Sequence, residues 1–270
     1  MRQTRSHPVH FRPPTAGFTL IELLVVMAII SILLSVSLPV LHNVRVVAHQ
    51  ASCAGQLRQI AMAWHTYLSD SNQQFYQAVN ANHYFGGWKG IAGGAVFRPL
   101  NKYMGLPTEP NTQSDAKLFR CPADRGDTDY GPAAYLYFGN SYQTNLMLIG
   151  PDSLPAHRGL PESIRTLNGA INEHLKNLKA DAICEPSRLL LVGDHNWITQ
   201  WDPLIRVSGR TWHGAKDRYS MAFFDGRVAL TEIHKGIYLE SDYRVQPFKE
   251  LDSLTHEMQS QLVHEVRGGQ

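Results

Sequence analysis

Apolar positions run almost without interruption from Phe18 to Leu41 (FTLIELLVVMAIISILLSVSLPVL), 24 residues in which Glu22 is the single charge. As a helix rising ~1.5 Å per residue, the run is about 36 Å long, enough to cross a bilayer core of ~30 Å. The period then changes. Val47, Ala51, Ala54, Leu57, Ala61, Trp64 and Leu68 recur every three or four positions, and His49, Gln50, Gln56, Arg58 and Gln59 fill the other faces. This pattern predicts that the helix continues as an amphipathic segment over 42–72, closing at the polar run Ser69-Asp70-Ser71-Asn72.

Residues 73–270 read as a globular head of shorter elements. The stretch from Gly86-Gly87 to Gly93-Gly94 predicts loop. Residues 117–121 and 135–138 are short strand candidates. Ile164, Leu167, Ile171, Leu175 and Leu178 keep helical spacing after Pro161, a good helix start. Residues 188–192 (RLLLV) have the pattern of a buried strand. Residues 219–233 predict a hairpin, because Asp225-Gly226 suits a two-residue turn that needs positive φ. Phe248, Leu251, Leu254, Met258 and Leu262 predict a last helix. No internal repeat is visible. The fold class expected is α+β, a long N-terminal helix packed on an antiparallel sheet.

Charge changes the reading of the N-terminus. The net charge is +2, too small to hold a phosphate backbone, so nucleic-acid binding is not expected. Arg2, Arg5 and Arg12 lie within residues 1–17, which carry no acid. A basic head before an apolar run is a targeting pattern that favours a cytoplasmic N-terminal side and an extracytoplasmic head. The apolar run is longer than the ~7–15 residues of a secretory signal, and no A-x-A pattern ends it. A plain anchor accounts for the length but not for Glu22, whose carboxylate costs roughly 2.5–3.5 kcal/mol inside the apolar region. An amine is its natural partner. If the chain is cut between Gly17 and Phe18, the Phe18 α-amine lies one turn from Glu22. Staggered neighbouring helices could then pair the amine of one with the Glu22 of the next, which sets their register.

Gly17-Phe18-Thr19-Leu20-Ile21-Glu22 followed by LLVVMAIISILL resembles the prepilin processing signature of type IV pilins and type II secretion pseudopilins. The resemblance covers residues 12–45. It implies cleavage after Gly17 by a prepilin peptidase/methyltransferase, N-methylation of Phe18, and Glu22 as the filament-assembly residue. Pro39 sits where such helices bend, since a proline within a helix removes one hydrogen bond. The resemblance further implies a leader over 1–17, a transmembrane and assembly helix over 18–41, and an inner-membrane protein with an extracytoplasmic head. Its implied partners are other pilin-like subunits and an inner-membrane assembly platform. Three segments of the head and its helix, SCAGQLRQIAMAWHTY (52–67), FRCPAD (119–124) and His213 to Asp225-Gly226, resemble a large-headed pilin-like family of planctomycete-type bacteria. That family often has nine residues between the histidine and Asp-Gly; here there are eleven.

The chemistry of the head is sparse. Asp194, His195, His213 and Asp225 are of the right types to ligate a metal, with calcium the ion expected if carboxylates and carbonyls dominate. The stronger reading takes Asp225 as a turn residue and Asp194 as the end of a strand, so no cofactor is expected. The thirteen histidines are scattered, and neither HExxH nor GxSxG occurs, so the chain is not expected to be an enzyme. Cys53, Cys121 and Cys184 leave one thiol odd. Cys121–Cys184 is one candidate disulfide, and pairs containing Cys53 are equally allowed. The function expected is a filament-subunit precursor, with type II secretion as the role implied. A minor or tip subunit with a partner-binding head, and a membrane-tethered enzyme or ligand-binding protein, are the alternatives.

Overall fold

The computed structural model describes residues 19–77, 82–92, 97–108, 113–126, 131, 133–149, 161–202, 212–213 and 216–268. The chain divides into two units, residues 1–45 and 46–270. The fold is α+β. Helix α1 (Leu20–Asp70) is followed by α2 (Ala134–Phe138), β1 (Tyr142–Thr144), α3 (Glu162–Leu175), β2 (Leu190–Asp194), α4 (Trp197–Trp201), β3 (Arg218–Phe223), β4 (Val228–Glu232) and α5 (Asp252–Gly268), with short 3-10 turns between them.

In the first unit, every residue from Thr19 to Leu41 is exposed. This is the one helix among the described residues long and apolar enough to cross a membrane. Ser31 and Ser37 donate to the carbonyls of Met27 and Leu33, at 2.7 and 2.8 Å, so the hydroxyls are satisfied within the apolar helix itself. Pro39 lies inside α1, which continues past it.

In the second unit, α1 buries Cys53, Leu57, Ile60, Ala61, Ala63, Trp64 and Leu68. The stripe is the predicted one from Leu57 onward. It begins at Cys53 rather than Val47, which is 62% exposed. The Trp64 ring sits 5.7 Å from Tyr67, 5.7 Å from Phe75 and 6.0 Å from Phe85, an aromatic cluster at the centre of the core.

The sheet order is β1-β2-β3-β4, antiparallel throughout. β2 is wholly buried, which explains its continuous apolar run. At its Gly193, a Cβ would lie 2.1 Å from the Met221 sulfur, so a larger residue there would require the Met221 side chain to move. The hairpin β3–β4 forms as predicted, with a different loop. Phe223 and Arg227 still pair (2.8 Å), and Phe224-Asp225-Gly226 form a three-residue loop with Gly226 at φ +88°. Phe224 is drawn inward, its ring 5.1 Å from His65 of α1 and 6.1 Å from Phe75, and this burial selects the longer loop.

Two strand expectations fail. Residues 117–121 form the end of a 3-10 turn (Gln113–Phe119) and the bend after it, and residues 135–138 belong to α2. Asp124 causes both. Its carboxylate accepts the amides of Gly126, Ala134 and Tyr135 at 2.9, 2.9 and 2.8 Å and the Ser141 hydroxyl at 2.6 Å. It caps α2 from ten residues upstream, satisfying helix amides that have no intrahelical partner.

Candidate functional site

The first site is the start of α1. Thr19 precedes the first helical residue and Glu22 is the third within it, the T-x-x-E spacing of a capping box. The Thr19 amide and hydroxyl donate to Glu22 Oε2 at 2.8 and 2.7 Å, and the Glu22 amide donates to Thr19 Oγ1 at 3.3 Å. The carboxylate is thereby folded back toward the N-terminal end of the helix. Gly17 and Phe18 lie outside the described residues. The capping box was legible in the sequence as Thr19-x-x-Glu22, a signal the membrane reading of Glu22 passed over.

The second site is in the head, where the four predicted metal-type residues separate into three places. Asp225 is exposed at the hairpin tip, its Oδ1 accepting the Arg227 amide at 2.9 Å, so it is a turn residue. His195 meets His83 instead, Nδ1 to Nε2 at 2.9 Å. The His83 ring stacks on Phe138 at 4.0 Å. Burial, then the neighbouring His195 and Arg98, holds the His83 pKa well below the ordinary histidine range, so the ring stays neutral.

Arg98 is itself fully buried, and burial lowers its pKa to about 10. Its guanidinium donates at 2.9 Å to each of the carbonyls of His83, Gly86 and Phe138, and Asn140 donates to the first two at 3.1 and 3.0 Å. This pair organises the described part of the glycine-rich loop. Nothing in the hydropathy pattern singles out either residue.

Asp194 and His213 do come together, with His213 Nε2 3.1 Å from Asp194 Oδ2 and both side chains buried. Asp194 Oδ2 also accepts the Ser220 amide at 2.7 Å. Beside them lie Cys53 and Cys121. All four side chains offer a ligand-type atom, and these atoms lie within 4.8 Å of one another. Cys53 comes from α1, Cys121 from the bend after the 3-10 turn, Asp194 from the end of β2 and His213 from the segment before β3. The three segments singled out in the sequence around Cys53, Cys121 and His213 thus converge on one buried point.

The disulfide joins Cys53 to Cys121, with Cα atoms 5.3 Å apart, and not Cys121 to Cys184. The packed α1 stripe brings Cys53 directly against the bend that holds Cys121. Cys184 lies elsewhere as a half-buried thiol that donates to the Pro247 carbonyl at 3.0 Å, and burial raises its pKa.

Residues 12–38 match the family model described as the prokaryotic N-terminal methylation motif. No curated protein and no solved structure matches the chain. The chain therefore carries the prepilin signature of type IV pilin-like proteins. That motif implies processing by a prepilin peptidase and assembly with other pilin subunits, and it points to a structural filament subunit rather than an enzyme. The exposed apolar half of α1 fits single-pass anchoring in a membrane.

Proposed function

We propose that this chain is the precursor of a subunit in a pseudopilus or type IV pilus-like filament, stored in the inner membrane with its head outside the cytoplasm and serving protein secretion of the type II kind. The observation that carries the reading is the methylation motif lying on a helix half that is apolar and wholly exposed, with a lone carboxylate at its start. The apolar helix has no partner within its own unit, so lipid, and later neighbouring helices, supply its apolar surroundings.

In this reading the leader 1–17 is removed after Gly17 and the new Phe18 amine is methylated. That amine pairs with Glu22 of an adjacent subunit as helices 18–41 pack together. Pro39 gives the helix its bend in the assembled fibre. The assembly platform in the inner membrane adds subunits one by one, and the heads form the outer surface.

Gly17 provides the test. Prepilin peptidase must approach the scissile carbonyl closely, and glycine leaves it unshielded. Gly17→Leu in the native host is expected to leave the leader uncut, seen as a band that does not shift on a gel relative to the processed wild type. A band that shifts normally counts against this cleavage site.

A further inference from the structure

The cluster of Cys53, Cys121, Asp194 and His213 has more ligand chemistry than a disulfide needs. Around the bridge lie a buried carboxylate and a buried imidazole. Asp194 Oδ1 and His213 Nδ1 have no hydrogen-bond partner among the described residues. A buried, half-satisfied carboxylate is costly, and native structures keep such groups for a reason. The side chains of Asp194 and His213 are only 2% and 1% exposed, and Cys53 and Cys121 are 0% and 1% exposed. Bulk solvent therefore does not reach the site.

Donor type and spacing point to what would complete it. Tetrahedral zinc, bound at ~2.3 Å by sulfur and ~2.0–2.2 Å by nitrogen or oxygen, holds its ligand atoms roughly 3.4–3.8 Å apart. His213 Nε2 is 3.7 Å from Cys121 Sγ, inside that range, and 3.1 Å from Asp194 Oδ2, slightly closer, and the whole set falls within 4.8 Å. The two sulfurs are bonded to each other here, so reduction has to part them before both can bind an ion. Two sulfurs with one imidazole and one carboxylate favour zinc over the calcium expected for an oxygen-only set. Outer contacts already orient the ligands. The Ser220 amide fixes Asp194 Oδ2 at 2.7 Å, and the Gln50 side-chain amide donates to the His213 carbonyl at 3.0 Å.

We propose that Cys53, Cys121, Asp194 and His213 form a four-ligand zinc site in the reduced chain, and that zinc and the Cys53–Cys121 disulfide are alternative occupants of the same point. In binding, each thiol gives one proton to solvent and each thiolate donates an electron pair to Zn²⁺; no electron is transferred. Passage from the zinc form to the disulfide removes two electrons from the two thiolates. A protein disulfide oxidant takes them, its own disulfide becoming a dithiol with two protons from solvent, and Zn²⁺ is released. The reverse requires a dithiol reductant, which leaves as its disulfide. Zinc ties together four chain segments where the disulfide ties two.

The test uses the full chain in detergent, reduced with a dithiol that is then removed under nitrogen, and given Zn²⁺ or Co²⁺ alone. The expected result is about one zinc per reduced chain and none per oxidised chain. A thiolate-to-cobalt charge-transfer band should accompany the Co²⁺ form. Zinc should shield Cys53 and Cys121, but not Cys184, from alkylation mapped by peptide mass. Affinity should fall at least tenfold in Cys121→Ser and in His213→Ala and stay unchanged in Cys184→Ser. Should the variants fail to fold, the cobalt band and the alkylation map of the wild-type chain decide. Absence of stoichiometric zinc overturns the proposal. So does zinc that binds equally well to Cys121→Ser, or that leaves Cys53 and Cys121 open to alkylation.

Discussion

Glu22→Ala is expected to leave the protein in the membrane at normal or higher level while reducing filaments to none detectable by electron microscopy of sheared surface fractions. Removing the carboxylate relieves roughly 2.5–3.5 kcal/mol of insertion cost, so anchoring does not suffer. What is lost is the only charge between Phe18 and Leu41 that can meet a neighbour's terminal amine. Without it, apolar helices still attract one another, but no single axial stagger is preferred.

Glu22 also completes the capping box with Thr19, so alanine removes a cap as well as a charge. Glu22→Gln separates the two effects. Glutamine serves at the same position of a capping box and keeps the helix start, but carries no charge. Filaments are expected to be lost in both variants. Filaments at normal yield from Glu22→Gln would mean that the cap, and not the ion pair, is what assembly requires.

Trp64→Ala is expected to destabilise the head by about 3–5 kcal/mol, which is the usual cost of deleting a buried tryptophan. Against a total stability of ~5–15 kcal/mol this is a large share. The ring is fully buried and packs on Tyr67, Phe75 and Phe85, so its removal opens a void that these three rings line. Thermal melting of the full chain in detergent should show a fall in Tm of about 10 °C.

Trp64→Phe should recover most of that loss. The indole N–H is buried and has no hydrogen-bond partner among the described residues, so phenylalanine removes an unsatisfied donor while keeping most of the apolar volume. A Trp64→Phe variant as unstable as Trp64→Ala would show that the indole shape itself is required.

Much of this was legible in the sequence because the physics was local. An unbroken apolar run predicts a spanning helix, and Leu57, Ala61, Trp64 and Leu68 predict which face of α1 enters the core. Asp225-Gly226 predicts a turn, and α3 follows from Pro161 and the spacing of Ile164, Leu167 and Ile171. The failures came where a distant group decided a local conformation. Residues 135–138 have strand-like side chains, yet Asp124 supplies the missing amide acceptors and makes them helical. Phe224 enlarges the hairpin loop because its ring is buried against residues from α1 and the segment after it.

The same limit applied to the head site. Asp194 and His213 were recognisable as ligand types, but their meeting depends on how β2 and the segment before β3 converge. Cys53 faces Cys121 because the buried stripe of α1 begins at Cys53 itself, six residues after Val47, where the apolar spacing starts. His195 lay next to Asp194 in sequence and was grouped with it. β2 ends at Asp194, and His195 stands in the turn that follows, where its ring meets His83 instead.

The central claim is that this chain is a prepilin, cut and methylated before it is assembled. The most direct measurement is the N-terminal sequence and intact mass of the protein recovered from its host's membranes. The account predicts a chain that begins at Phe18 and is one methyl group heavier than its sequence. A chain that still begins at Met1, or one cut beyond Leu41, would contradict it.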